Sequence, residues 1–133
     1  MFRIINMKKF PLVIILATIL IVVGGIFLMS KSSTPPPLPS NLEYFWGEGC
    51  PHCKNVADFM NSWKKSLPAD RRDQVKIDKF EVRSSTNNAA LMEARYKYCK
   101  ITDRAEMGVP LLFTPEGKCF SGDTPIIDYL KNL

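Results

Sequence analysis

The chain has 133 residues, 46% hydrophobic and 23% charged, and its 18 Lys and Arg outnumber 13 Asp and Glu for a net charge of +5. That length holds one domain plus a flanking segment. Arg3, Lys8 and Lys9 precede an uncharged run and all the acids follow it, so the rest carries 15 basic against 13 acidic residues, a net of +2; no basic stripe is present, and nucleic acid is not an expected partner.

In chain order, residues 1–9 form a short basic terminus, and Phe10–Met29 runs twenty residues without a charge. As a helix this run spans about 30 Å, the thickness of a bilayer's hydrocarbon core. The alternative is a cleaved signal peptide, whose apolar core is normally about 7–15 residues long and ends at a small-residue site. Leu28-Met29-Ser30-Lys31 makes a poor site of that kind, and no cysteine follows that could carry a lipid. The expectation is one retained transmembrane helix over 10–29. Three basic residues lie before it and only Lys31 closely after it. By the positive-inside rule, residues 1–9 are cytoplasmic and the rest is extracytoplasmic, on a single-pass cell-membrane protein. Residues 30–41 contain Pro35, Pro36, Pro37 and Pro39 among serines. They read as an extended spacer of up to about 3 Å per residue or, equally, as a disordered linker.

Residues 42–133 then form the domain. Leu42–Trp46 is an aromatic strand, rich enough in large side chains to be central. Gly47-Glu48-Gly49 stops it, and Cys50-Pro51-His52-Cys53 opens a helix whose apolar positions Val56, Phe59, Met60, Trp63 and Leu67 share one face. Pro68 ends that helix, and Asp70–Asp73 reads as a charged turn. Val75–Val82 alternates apolar and polar, as in a half-buried strand. Ser84–Asn88 offers N-cap chemistry for a helix over Ala89–Tyr98, with Ala90, Leu91, Ala94 and Tyr98 inward. After a polar connection, Pro110–Thr114 and Cys119–Ser121 form a hairpin around the turn 115–118, and Pro125–Leu133 is a closing helix with Ile126, Ile127, Leu130 and Leu133 apolar. The order is β-α-β-α-β-β-α.

Cys50 falls at the first turn of its helix, with Pro51 at N1, where a missing N–H costs nothing. Orphan N–H groups and partial positive charge at that terminus stabilise a thiolate. Cys53, three residues on, is close enough to close a small disulfide. The pair can therefore hold a reactive thiolate or a labile disulfide and exchange between them.

An aromatic strand, C-x-x-C and a helix start resemble the thioredoxin superfamily, and Pro51-His52 between the cysteines is the dipeptide of its DsbA-type oxidases. Gly108-Val109-Pro110 opens an apolar run 57 residues after Cys53, where the superfamily places its cis-proline loop. The resemblance covers roughly residues 41–133. It implies a minimal, glutaredoxin-sized thioredoxin-like α/β fold preceded by the transmembrane helix, and a thiol–disulfide oxidoreductase, in the first instance an oxidase of exported proteins. Protein or peptide thiols are its expected substrates, and a quinone-linked membrane protein its expected re-oxidant. A dedicated reductase, such as one for apocytochrome thiols, and a redox-inactive peptide-binding module are the alternatives. No cofactor is expected.

On this resemblance Cys50 is the nucleophile and Cys53 the resolving thiol. His52, the only histidine, either favours the Cys50 thiolate or is an exposed turn residue. Val109-Pro110 either forms the cis-proline loop, where Val109's backbone pairs with substrate backbone, or is a trans proline starting an edge strand. The buried acid that many members carry six residues before the first cysteine is replaced by Tyr44. Glu43 is one residue off and faces the other way, so Glu48, Lys54 or water is left to move the proton. Cys99 and Cys119 form either a structural disulfide or two buried free thiols. Zinc on four cysteines is disfavoured, because these two lie twenty residues apart rather than in a paired knuckle.

Overall fold

The computed structural model describes residues 10–29 and 35–133, without the side chains of 10 and 26–29. The basic terminus 1–9 and residues 30–34 of the proline-rich segment lie outside the described residues. The chain divides into two units, Met1–Thr34 and Pro35–Leu133. In the first, helix α1 (Phe10–Met29) has no acidic residue in its first turn and no basic residue in its last. Its one polar side chain, Thr18, returns its hydroxyl to the carbonyls of Ile14 and Ile15. Side chains are described over 11–25, about 22 Å of helix. Among the described residues no helix is long and apolar enough to cross a membrane.

The second unit runs β1 (Leu42–Trp46), α2 (Pro51–Ser66), α3 (Ala69–Gln74), β2 (Ile77–Glu81), α4 (Thr86–Tyr98), β3 (Leu111–Phe113), β4 (Cys119–Ser121) and α5 (Asp123–Lys131). The four strands make one mixed sheet in the order β2-β1-β3-β4. β1 pairs parallel with β2 and antiparallel with β3, and β4 returns antiparallel beside β3. Successive strand residues face opposite sides of a sheet. Leu42, Tyr44 and Leu112 thus join Val56 and Met60 of α2 and Ile126 and Leu130 of α5 in one core. Phe45, Leu111 and Phe113 join Tyr96 of α4 in the other. The result is a mixed α/β domain, compatible with a small thioredoxin-like fold.

The structure corrects four expectations. Residues 69–74 are a helix rather than a charged turn. Arg72 of that helix donates to the carbonyls of Lys64, Lys65 and Leu67, acceptors that the end of α2 leaves without an intrahelical partner. Second, α4 begins at Thr86, capped by Ser85, and its inward face is rotated. Arg95 and Tyr96 are buried, whereas Ala90 and Tyr98 are exposed. Third, α5 starts at Asp123 and ends before Leu133, which is 39% exposed. Fourth, the end of the proline-rich segment is tied to the domain rather than free. The Pro36 carbonyl accepts from Arg95 at 3.2 Å, and Asn41 donates to Asp78 at 3.1 Å.

The rotation of α4 has a clear cause. Glu43, on the second face of β1, takes both Nε and Nη2 of Arg95, at 2.8 and 3.1 Å, with both residues almost fully buried. The guanidinium also lies 4.6 Å from the centre of the Phe113 ring. Bidentate geometry and a third acceptor offset the desolvation of the two charges. Cys99 and Cys119 are joined, their Cα atoms 6.2 Å apart, fastening the end of α4 to β4. Closing a loop of this length contributes about 3 kcal/mol through the unfolded chain.

Glu43→Ala leaves the Arg95 charge buried and unpaired. The expected cost is about 3–5 kcal/mol, measured by urea unfolding of the wild type and the variant. A loss below about 1 kcal/mol, the scale of a surface pair, would show that Arg95 finds water instead.

Candidate functional site

β1 ends at Trp46, and the chain turns through Gly47-Glu48-Gly49 into α2. Gly49 has φ +72°, a region that side chains rarely enter. The turn is closed by Cys50 N donating to Gly47 O at 3.2 Å. Cys50 is the N-cap of α2, with extended backbone, and Pro51 occupies the first turn. Cys50 Sγ accepts from Cys53 N at 3.1 Å, so a sulfur stands where an N-cap oxygen usually does. Cys50 and Cys53 are bonded, with Cα atoms 5.2 Å apart. Cys50 is partly exposed and Cys53 is buried.

Antiparallel pairing of β3 with β1 brings the start of β3 to the same end of the sheet. The Val109–Pro110 bond there is cis, and Val109 O lies 3.7 Å from Cys50 Sγ. Pro110 O accepts from Gly122 N at 2.9 Å. Tyr96 reaches through the second core to hold this loop from behind, donating to Gly108 O at 2.7 Å and accepting from Gly108 N at 3.1 Å. The sequence reading did not single out Tyr96. An aromatic residue with helical spacing signals only packing, and its hydroxyl partner lies twelve residues away.

His52 is mostly exposed, with its Nδ1 3.0 Å from Asp123 Oδ2. Asn55 donates to the same oxygen at 2.9 Å. Those two bonds, Asn55's first and His52's second, hold the Asp123 carboxyl down to about 2. Nothing local in the sequence links His52 to Asp123, 71 residues away; the docking of α5 on α2 makes the contact.

Beneath the disulfide, Tyr44 occupies the strand position expected for a buried acid. Its hydroxyl donates to Cys53 O at 3.0 Å, and burial pushes its pKa up. Glu43 does face the other way, toward Arg95. Lys54 is engaged by Asp58 one turn along α2, and the Glu48 side chain is exposed. Both residues, with Trp46, Tyr44 and Lys79, line a cavity of about 290 Å³ that opens beside Cys50 and Cys53.

A second carboxylate braces the turn. Glu81, at the end of β2, accepts from the backbone N–H of Glu48, Arg83 and Ser84 at 3.2, 2.9 and 2.7 Å, and from the Ser84 hydroxyl. Ser84's hydroxyl and N–H, then the N–H of Arg83, hold the Glu81 carboxyl down to about 2. Cys99 and Cys119 lie away from this cluster, at the opposite end of β4 from Gly122. Among the described residues no group of three or more His, Cys, Asp or Glu is placed to hold a metal ion.

No family profile, curated protein or solved structure matches the chain. The functional reading therefore rests on the C-x-x-C disulfide, the mixed sheet and the groups around them.

Glu81 and Asp123 both have carboxyls depressed below their ordinary values of 4.5 and 3.8. Each contributes stability that is fully present above its ordinary value and is lost as pH falls toward about 2. Urea unfolding as a function of pH should show stability falling across that acid window. Glu81→Gln and Asp123→Asn should each flatten the fall. Parallel curves for wild type and both variants would refute this assignment.

Proposed function

We propose that the chain is a thioredoxin-like thiol–disulfide oxidoreductase of exported proteins, held at a membrane by its N-terminal helix and acting as an oxidase. The observation that carries the reading is the asymmetry of one disulfide: Cys50 is partly exposed at a helix start, facing Val109 O, while Cys53 is buried behind it. A substrate thiolate can reach Cys50 Sγ and not Cys53. Its attack forms a substrate–Cys50 bond and breaks the Cys50–Cys53 bond, so that Cys53 leaves as a thiolate. A second substrate thiolate then attacks the substrate sulfur, closes the substrate disulfide and releases Cys50 as a thiolate. The substrate loses two electrons and its two thiol protons, and the protein's disulfide gains the electrons. Re-oxidation needs a disulfide or quinone-linked partner in the same membrane.

The α2 N-terminus supports the oxidase direction. The Cys53 N–H and the helix dipole stabilise a Cys50 thiolate but not a disulfide, so they favour the reduced state. One observation favours the alternative of a reductase: the Asp123 carboxylate beside His52 offsets any positive charge that His52 would present to Cys50. The reduction potential of the Cys50–Cys53 couple separates the two. An oxidase is expected between about −120 and −200 mV, and a value near about −270 mV, that of thioredoxin, makes the protein a reductase. Cys53→Ala should accumulate a Cys50 mixed disulfide with substrate thiols, visible by non-reducing electrophoresis. Failure to trap any thiol would leave only a redox-inactive peptide-binding module.

The anchor is supported by the uninterrupted run Phe10–Met29 and by the basic residues on its N-terminal side. The expected mature protein keeps this run, and impermeant thiol reagents should label the reduced domain in intact cells. A mature N-terminus near Ser30, or labelling only after the membrane is breached, would overturn this placement.

A further inference from the structure

The loop after β2 brings an arginine to the active-site turn. Because β1 and β2 are parallel, their C-terminal ends lie at one edge of the sheet, and Val82 N donates to Trp46 O at 2.9 Å. Glu81 then fixes the backbone of Arg83 and of Glu48 with the same carboxylate. The Arg83 side chain lies across Gly47: a Cβ there would meet its Nε, Cγ and Cδ at 3.0–3.2 Å. Its Nη1 is 3.7 Å from the Cβ position of Gly49, the residue before Cys50. The absence of a side chain at Gly47 is thus what lets the arginine lie flat on the turn.

The guanidinium held there is exposed, and among the described residues it has no carboxylate within 4.0 Å and makes no hydrogen bond. The neighbouring charges are otherwise engaged or balanced, which leaves the Arg83 guanidinium, among the described residues, as the cation at this turn without a carboxylate partner. Glu81 is occupied by backbone donors, Lys54 is paired with Asp58, and Lys79 and Glu48 face the same cavity with opposite signs. Arg83 follows β2 and Val109 precedes β3, the two strands on either side of β1. Because Nη1 reaches the residue before Cys50, a substrate whose sulfur bonds Cys50 would bring the groups beside that sulfur near the guanidinium.

We propose that Arg83 is a carboxylate-binding subsite, which makes the preferred substrate a peptide thiol with an acidic group beside its cysteine. The planar guanidinium suits a carboxylate through two parallel N–H bonds. This inference rests on the exchange reading above and adds the substrate's chemistry to it.

The test uses the oxidised full-length protein in detergent and two dithiol peptides that differ only in Glu or Gln beside the cysteines. The measured quantity is the ratio of their second-order oxidation rate constants. Wild type should prefer the acidic peptide, and high salt should abolish the preference. Arg83→Gln should lower the ratio by about two- to fivefold, the range of a solvent-exposed ion pair, and Arg83→Lys should restore part of it. A ratio unchanged by Arg83→Gln overturns the subsite. Equal slowing of both peptides also overturns it, since the charge then acts on Cys50. A wild type that oxidises both peptides at one rate removes the subsite alone. One that oxidises neither removes the exchange reading and the subsite together.

Discussion

The register of β1 between a parallel and an antiparallel neighbour is the constraint on which the domain depends. Five residues commit both faces of the sheet. Leu42 and Tyr44 point into the core under α2 and α5, and Glu43 and Phe45 point toward α4. A slip of one residue would put Glu43 into the first core and Tyr44 against Arg95. The same register places the end of β1 beside the end of β2 and the start of β3. The two glycines of the turn, the N-cap cysteine, the cis Val109–Pro110 bond and the Glu81 brace all converge at that edge because of it.

Charge at this edge is arranged to leave the sulfurs unencumbered. His52 is held by Asp123, which also accepts from Asn55, and Lys54 is paired with Asp58. What remains beside a Cys50 thiolate is the helix start, with the Cys53 N–H and the aligned peptide dipoles, and the Arg83 guanidinium lying across the turn. Among the described residues no buried acid lies below the second cysteine, and Tyr44 stands there with its hydroxyl committed to a helix carbonyl. With burial pushing the phenol's pKa up, Tyr44 holds the backbone of α2 against β1 and is poorly suited to take a proton from Cys53. Glu48, Lys54 and Lys79 line the cavity that opens beside Cys53.

Two devices fasten α4, and neither resembles the other. At its middle, Arg95 makes a buried bidentate pair with the sheet and a bond to the proline-rich segment. At its end, Cys99 is tied covalently to β4. Between them Tyr96 extends to the cis-proline loop. The back of the domain and the front of its disulfide site are therefore linked through one helix.

The sequence by itself determined what depends on neighbours in the chain. The aromatic run Leu42–Trp46, the two glycines, and Pro51 after Cys50 are local signals. They were enough to place the strand, the turn and the N-cap, because periodicity and capping act over a few residues. The inward positions of α2 were legible for the same reason. The tertiary structure alone decided what depends on contacts between distant residues. Apolar spacing pointed α4 inward along Ala90, Leu91, Ala94 and Tyr98; Leu91 does pack on the second core, but a buried ion pair with a strand 52 residues away turned Arg95 and Tyr96 inward and left Ala90 and Tyr98 exposed. Residues 69–74 looked like a charged turn until Arg72 folded back onto the carbonyls of α2. Asp123 beside His52, and Arg83 across Gly47, carry no sequence signal at all. Local spacing reports which face of an element is apolar, and only packing decides which polar side chains find a partner worth burying or a site worth guarding.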